Sequence, residues 1–423
     1  MRLLFVHQNF PGQYRHLAPH FAAQAGNEVV GVGEKSNILS QRLVMPGVKV
    51  LGYDVPKIDP SKLSPFTQSL ARAIHRGRIV ARGAAALRRS GFRPDVIFTH
   101  LGWGEGLFLK DIFPEARVLL YCEFYYHSKG ADVGFDPEFP PTAESILRLR
   151  VMNAPLLMSL DASDWGIAPT QWQMQQFPRA YQSRISVVHE GVDTDVLTPD
   201  PAARFRIPDT DKYLTRDDEV VTYISRNLEP YRGFHIFMRT IPEIQKRRPK
   251  AKIVVVGGNE VSYSPRPPAG QTYRKRLLKE MEGKIDMSRV IMLGRIPYAD
   301  YLSLLRVSSA HVYLTYPFVL SWQLIEALSA GCLVIASRTP PVQEVMRDGH
   351  NGLLVDFFDK EQIAARVDEA IRAGKAMQPI RDQARKTAVE GYDLKRVCMP
   401  AQVKLVEALA AGRAPVPARM AGK

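Results

Sequence analysis

Short apolar runs separated by amphipathic stretches recur along the whole chain, and that rhythm leaves few folds open. Residues 3–7, 28–33, 96–100, 118–122 and 185–189 each read as a strand, and residues 13–24, 65–90 and 105–112 between them read as helices. A second series opens at 220–225 and continues through 253–257, 290–293, 311–314 and 333–337. Strand and helix alternating at this spacing argue for α/β architecture, with parallel sheets covered by helices on both faces. The chain has 423 residues, beyond the roughly 250–300 at which a single core stops growing. Two domains are therefore expected, 1–195 and 196–395, with the chain crossing between them near 190–201. Residues 396–423 read as a C-terminal helix returning to the first domain, with 411–423 as a flexible tail rich in Ala, Pro, Gly and basic residues.

Composition narrows the function classes. No apolar run approaches the roughly 20 residues of a membrane span, and the apolar N-terminal run is too short for a signal peptide. Three widely spaced cysteines, Cys122, Cys332 and Cys398, give neither a disulfide framework nor a zinc site, so a reducing cytoplasm is expected. The net charge of +14 favours anionic partners: phosphorylated substrates, or peripheral contact with an anionic membrane. The excess gathers at Arg72, Arg76, Arg78, Arg82, Arg88 and Arg89, at 246–252 and at 274–276. None of these clusters is interleaved with the aromatics that base stacking needs, so nucleic acid is not expected as a partner.

The chemistry-bearing residues sit where strands end. Ser225-Arg226-Asn227-Leu228-Glu229-Pro230-Tyr231-Arg232-Gly233 reads as a strand end, a turn and a helix start. Two arginines beside a helix N-terminus suit a diphosphate. Ser321 opens the apolar helix 321–329 directly after the strand 311–314, at the edge where open α/β sheets bind ligands. Glu326, a turn and a half into that helix, could accept hydrogen bonds from both hydroxyls of a ribose. Arg295 follows the strand 290–293, where it could stack on a base. In the first half, Gly12 in the loop after strand one lets the backbone approach a ligand closely. His100 and Glu123 close two neighbouring strands and are the catalytic candidates; Asp132 is an alternative for steering an acceptor. The segment 128–141, rich in Gly, Asp and Pro, reads as a functional loop rather than a linker.

The run 318–331, with 333–337, Glu344-Val345, Asp348-Gly349 and Asn351-Gly352-Leu353-Leu354-Val355, resembles family 4 glycosyltransferases of the GT-B fold, over roughly residues 1–410. His7-Gln8-Asn9-Phe10-Pro11-Gly12 and Tyr121-Cys122-Glu123-Phe124-Tyr125-Tyr126-His127 resemble one bacterial subgroup of that family. The resemblance implies two Rossmann-like, doubly wound domains facing a central cleft that holds a nucleotide-sugar. It places the second glutamate of the family's E-x7-E motif on Glu326, as the ribose ligand. The first falls on Phe318, a departure from the pattern. The family's Arg followed by Lys-Gly falls on Arg226 and on Arg232-Gly233, with one extra residue between.

What the resemblance implies is a retaining transfer from a nucleotide-diphosphate sugar to a glycan, lipid-linked or small-molecule hydroxyl. It implies no cofactor and no metal, and Asp193-Thr194-Asp195 falls in the crossing between domains rather than at a strand end that would hold a divalent ion. A nucleotide-sugar epimerase would share the architecture and need no acceptor. A non-catalytic nucleotide-sugar or carbohydrate-binding protein is the reading that Phe318 favours.

Overall fold

The computed structural model describes residues 1–41, 43–56, 59 and 63–415. Of the tail expected at 411–423, residues 416–423 lie outside the described residues. The chain divides into two compact units. The first takes in Met1–Gly134, Pro140–Gly191 and the chain from Lys395 onward; the second takes in Phe135–Phe139 and Val192–Leu394.

Seven strands build the first unit: β1 (Arg2–Val6), β2 (Glu28–Glu34), β3 (Val48–Tyr53), β4 (Val96–His100), β5 (Arg117–Tyr121), β6 (Trp165–Ala168) and β7 (Ile185–Val187). They pair in parallel in the order β3-β2-β1-β4-β5-β6-β7. Side chains alternate across the pleat: Leu4 and Val6 enter one apolar cluster, while Leu3 and Phe5 enter another on the opposite face. Leu405, Val406 and Leu409 of the C-terminal helix Met399–Ala410 close the second cluster.

A two-stranded antiparallel ribbon, β8 (Phe205–Arg206) and β9 (Tyr213–Leu214), precedes the second sheet. That sheet comprises β10 (Val220–Asn227), β11 (Lys252–Gly258), β12 (Val290–Leu293), β13 (Ala310–Tyr313), β14 (Val334–Ser337) and β15 (Leu353–Val355). Its order is β12-β11-β10-β13-β14-β15, all parallel. Ile253, Val254 and Val255 are fully buried, each stabilising the sheet by roughly 1.5–3 kcal/mol relative to exposure. Each sheet runs outward three strands one way, then reverses beside its first strand. The reversals lie between β1 and β4 and between β10 and β13, the topological switch points where such sheets hold ligands.

Two expected helices are shorter than the pattern suggests. Residues 13–24 form a 3-10 turn, Gly12–Tyr14, and then the helix Leu17–Ala22. Pro19 lacks an N–H and fits only a first turn, so the helix starts just before it. Residues 105–112 yield only Leu109–Ile112, because the chain before it closes tight turns, with the Leu107 amide donating to the Gly104 carbonyl and the Leu109 amide to the Gly106 carbonyl, each at 3.2 Å. Among the described residues no helix is long and apolar enough to cross a membrane.

Candidate active site

At the second switch point, β10 runs into a 3-10 turn, Pro230–Arg232, and then into the helix Phe234–Arg247. Gly233 joins turn to helix at φ +72°, and a Cβ there would lie 2.3 Å from the Cβ of Leu314, just past β13. Only glycine admits both the left-handed backbone and this approach. The Tyr223 hydroxyl holds the turn by donating to the Arg232 carbonyl at 2.6 Å.

The turn aims Arg232 across the switch point. Its Nη1 donates to Thr315 Oγ1 at 2.9 Å and to the Val319 carbonyl at 3.0 Å, and its guanidinium carbon stands 5.6 Å from the Tyr263 ring. Both acceptors are neutral. Arg232 is half-buried and, among the described residues, makes no ion pair. Arg226, at the carboxyl end of β10, is exposed. Arg295 differs: it pairs with Glu260 at 2.9 Å, both side chains being about two-thirds exposed (64% and 65%). In the orientation that satisfies both of its amide atoms, Asn227 donates to Glu260 at 2.9 Å and accepts from Ser262 at 2.8 Å, so Arg295 ends a polar chain linking β10, β11 and β12.

Glu229 was not among the expected site residues. Buried, its Oε2 accepts from the amides of Ser262, Tyr263 and Ser264 at 3.1, 2.9 and 2.9 Å. A carboxylate ringed by amides is a strong anchor, and it brings Tyr263 over Arg232. Phe318 is buried against Tyr263 (4.9 Å between ring centroids) and Tyr231 (5.4 Å), so an apolar aromatic cluster fills the place of the missing glutamate.

Ser321 caps the helix Trp322–Ser329, its hydroxyl accepting from the Gln323 amide at 3.3 Å; its own amide donates to the Tyr313 hydroxyl at 3.1 Å. Its polar atoms thus serve the helix start. Glu326 is half-buried on that helix and accepts from the Tyr301 hydroxyl at 2.6 Å.

Gly12, His100 and Glu123 lie in the first unit. Gly12 has φ +49°, and a Cβ there would come within 2.6 Å of the His7 ring, so its own neighbour already demands glycine. Three histidines at strand ends share one local device. His7 Nδ1 accepts from the Asn9 amide, His100 Nδ1 from Gly102 and His189 Nδ1 from Gly191, each at 2.9 Å. A ring nitrogen that accepts an N–H carries no proton, so each neutral imidazole holds its proton on Nε2. Burial, reinforced by His7, pushes the His100 pKa well below its ordinary value; burial takes His7 down to about 4 against an opposing bond from Gln13. His100 stacks between Trp103 and Tyr121 at centroid distances of 4.1 and 5.3 Å. Its Nε2 points a donor toward Glu123 Oε2, 3.7 Å away. That geometry suits His100 to donate a hydrogen bond rather than to accept a proton.

The basic clusters also resolve. Arg76 is drawn in beside Glu105 (3.4 Å) and Glu34 (3.6 Å). Arg247 pairs with Glu243 and Glu361, and Arg248 with Glu219 and Asp368. Arg72, Arg78 and Arg82 remain exposed. Among the described residues, no group of three or more His, Cys, Asp or Glu side chains is placed to hold a metal ion.

Two family models match in succession: Glycosyl transferase family 4 group over residues 25–197, and Glycosyl transferases group 1 over residues 206–387. The chain belongs to the group 1, family 4 glycosyltransferases. The chain is 26% identical over 218 residues to a GDP-mannose-dependent α-(1-6)-phosphatidylinositol monomannoside mannosyltransferase of Mycolicibacterium smegmatis, covering 48% of this chain and 51% of that protein. It is 28% identical over 227 residues to a D-inositol 3-phosphate glycosyltransferase of Acidothermus cellulolyticus, covering 52% and 48%. The chain thus spans about half the length of the curated relatives it matches. Its fold is GT-B. The sucrose-phosphate synthase of Thermosynechococcus elongatus superposes with a TM-score of 0.73 at 16% identity, covering 97% of this chain and 100% of that one. Anabaena HepE in complex with UDP-glucose gives 0.67 at 17% identity, over 97% and 100%.

Proposed function

We propose that this glycosyltransferase moves a sugar from a nucleotide-diphosphate sugar to a hydroxyl acceptor, retaining anomeric configuration and using no metal ion. The observation that carries this reading is Arg232, held at the switch point by two neutral acceptors and, among the described residues, in no ion pair. As the bond between the sugar C1 and the diphosphate oxygen breaks, negative charge builds on the departing diphosphate; the acceptor oxygen bonds to C1, and its hydroxyl proton passes to the departing diphosphate oxygen. Arg232 and Arg226, with the amide end of the helix Phe234–Arg247, would stabilise that charge. Glu326 would grip the ribose, Arg295 would face the base, and Ser321 would stand beside the donor. In the first unit, His100 would present its Nε2–H to the sugar, with Glu123 and the Gly12 loop toward the acceptor. Retention and metal independence both follow the family resemblance, and the two arginines would carry the charge stabilisation in place of a metal ion.

Assay the protein with UDP-, GDP-, ADP- and dTDP-sugars, with and without EDTA. Transfer should survive EDTA, and Arg232→Ala should lower it by a factor of about 10²–10³. Full activity in Arg232→Ala would refute the diphosphate role. Phe318 favours a second reading, a protein that binds a nucleotide-sugar without turning it over. Tight donor binding with no product from any acceptor would select it, and free nucleotide plus an altered sugar without acceptor would select an epimerase.

A lipid-linked acceptor at an anionic, cytoplasmic membrane face is part of the same proposal. The helix Ala143–Asp161 exposes Ile146, Leu147, Leu157 and Met158 together with Arg148 and Arg150, and it packs beside the helix Gln68–Arg89, which carries Arg72, Arg78 and Arg82. Exposed apolar and cationic side chains on two packed helices suit the headgroup boundary of an anionic bilayer. Sedimentation with phosphatidylserine vesicles, but not with phosphatidylcholine vesicles, is expected; equal recovery with both would reject the membrane partner. All three cysteines are buried, and Cys122 and Cys332 are free thiols, as a reducing cytoplasm would keep them.

A further inference from the structure

The segment Phe135–Phe139 comes from the first half of the sequence yet belongs to the second unit. Phe135 packs on Tyr316, Phe357 and Phe358 at 5.0–5.2 Å, and Phe139 packs edge-on against His235 at 5.7 Å. Arg239 clamps Glu138 through two bonds of 2.6 and 3.1 Å. Between these anchors lies Asp136, 3% exposed. One oxygen, Oδ2, accepts from His235 Nε2 at 2.8 Å and from the Tyr316 hydroxyl at 2.5 Å; the other accepts from the Glu138 amide at 2.9 Å.

Those two side-chain donors belong to the two segments that flank the β10/β13 switch point. His235 is the second residue of the helix that begins just after Arg232-Gly233. Tyr316 directly follows Thr315, which accepts from Arg232. Tyr316 is further tied to the arginine's own turn: its ring stacks on Tyr231 at 4.5 Å and 28°, and its amide donates to the Tyr231 carbonyl at 3.0 Å. An apolar residue at 136 with phenylalanine at 316 could fill the same volume without desolvating a carboxylate, and such replacements are often neutral or stabilising. What the polar arrangement adds is direction: it fixes where the Tyr316 ring lies, and therefore where the Arg232 turn rests.

We propose that Asp136 is a positioning residue for Arg232, setting the guanidinium for the donor diphosphate by bracing both sides of the switch point through His235 and Tyr316. This rests on the reading of Arg232 as the cation for that diphosphate. The test is a double-mutant cycle on the full chain, reading dissociation constants for UDP, GDP, ADP and dTDP by calorimetry and using whichever the wild type binds most tightly. Asp136→Ala should weaken binding about tenfold in the wild-type background and less than about twofold in Arg232→Ala, because interacting sites are not additive. Tyr316→Phe, which removes one hydroxyl and keeps the ring, runs the same cycle should Asp136→Ala fold poorly, with a loss of about threefold expected. A purely structural Asp136 would lower the melting temperature while leaving the two losses additive. Additive losses, or an unchanged wild-type constant, overturn the positioning role even with Arg232→Ala weakening the nucleotide. If Arg232→Ala leaves nucleotide binding intact, the diphosphate reading itself falls, and Asp136 with it.

Discussion

The Tyr301 hydroxyl donates to the Glu326 carboxylate at 2.6 Å, joining the helices Tyr298–Val307 and Trp322–Ser329 at the carboxylate proposed to hold the donor ribose. Burial, and then the Glu326 charge, push the Tyr301 pKa well above its ordinary value, so the hydroxyl remains a donor throughout the working pH range. Tyr301→Phe leaves the carboxylate without this restraint. The donor KM should rise about 3–10-fold with kcat within about twofold, the pattern of a lost uniform binding interaction. Steady-state kinetics decide it: a fall in kcat at constant KM would argue against a ribose role for Glu326.

Glu229 fixes the residues above Arg232 through three amide bonds. In Glu229→Gln the charge-assisted bonds become neutral, at a cost of about 1–3 kcal/mol. Urea denaturation should show that loss, and hydrogen exchange at Ser262, Tyr263 and Ser264 should quicken before the sheet amides do. Unchanged exchange at those three amides would contradict the anchor.

The buried histidines should make the protein acid-sensitive above the pH at which carboxylates protonate. Burial lowers His7 to about 4 and His311 to about 3, and it lowers His100 and His189 as well. Below pH ~6.5 the unfolded chain takes up protons that the folded chain refuses, so stability is complete above that value and falls as the pH drops toward 4. His7 alone accounts for roughly 3 kcal/mol by pH 4, at about 1.4 kcal/mol per unit. Melting temperatures at pH 7.5, 6.0 and 4.5 measure the slope, and His7→Asn, which keeps an acceptor for the Asn9 amide, should flatten it. A profile flat over this range would mean that these rings are charged or exposed.

Gly233 and Gly283 separate two causes of strain. Both have a left-handed backbone, at φ +72° and +74°, but a Cβ at Gly283 meets open space whereas one at Gly233 meets Leu314 at 2.3 Å. Gly283→Ala should cost about 1–2 kcal/mol from the backbone alone, and Gly233→Ala about 1–3 kcal/mol more from the clash. Chemical denaturation of the two variants gives the difference; equal losses would place the Gly233 requirement in its φ angle only.

Much of the second unit is legible along the sequence, because its inner strands are buried on both faces and read as unbroken apolar runs at 253–257 and 333–337, and the half-buried edge strand at 290–293 is apolar as well. Other elements are not. The strand β3, Val-Lys-Val-Leu-Gly-Tyr, lies at the sheet edge with Lys49 exposed, and its mixed character gives no apolar run. The helix Ala143–Asp161 contains Pro155 and exposes Leu147, Leu157 and Met158, which blurs the apolar stripe by which a helix is read. Among the site residues, Gly233 and the two arginines declare themselves by position at a strand end. Glu229, in the same turn, gives no signal, because its amide partners lie more than thirty residues on.

By itself the sequence determined the succession of strands and helices, the two Rossmann-like units, the placing of Arg226 and Arg232 where a strand ends and of Glu326 on an apolar helix beyond another, and the family. These are short-range properties, set by apolar periodicity, turn residues and helix caps within a few residues of each other. Only the tertiary structure decided what each charge meets. Arg295 is in an ion pair while Arg232, among the described residues, is in none; His100 is locked as a donor, and Asp136 reaches His235 and Tyr316 across 99 and 180 residues. Hydrogen bonds between groups so far apart in the chain exist only once packing has brought them together in a water-poor interior, and no local pattern encodes that meeting.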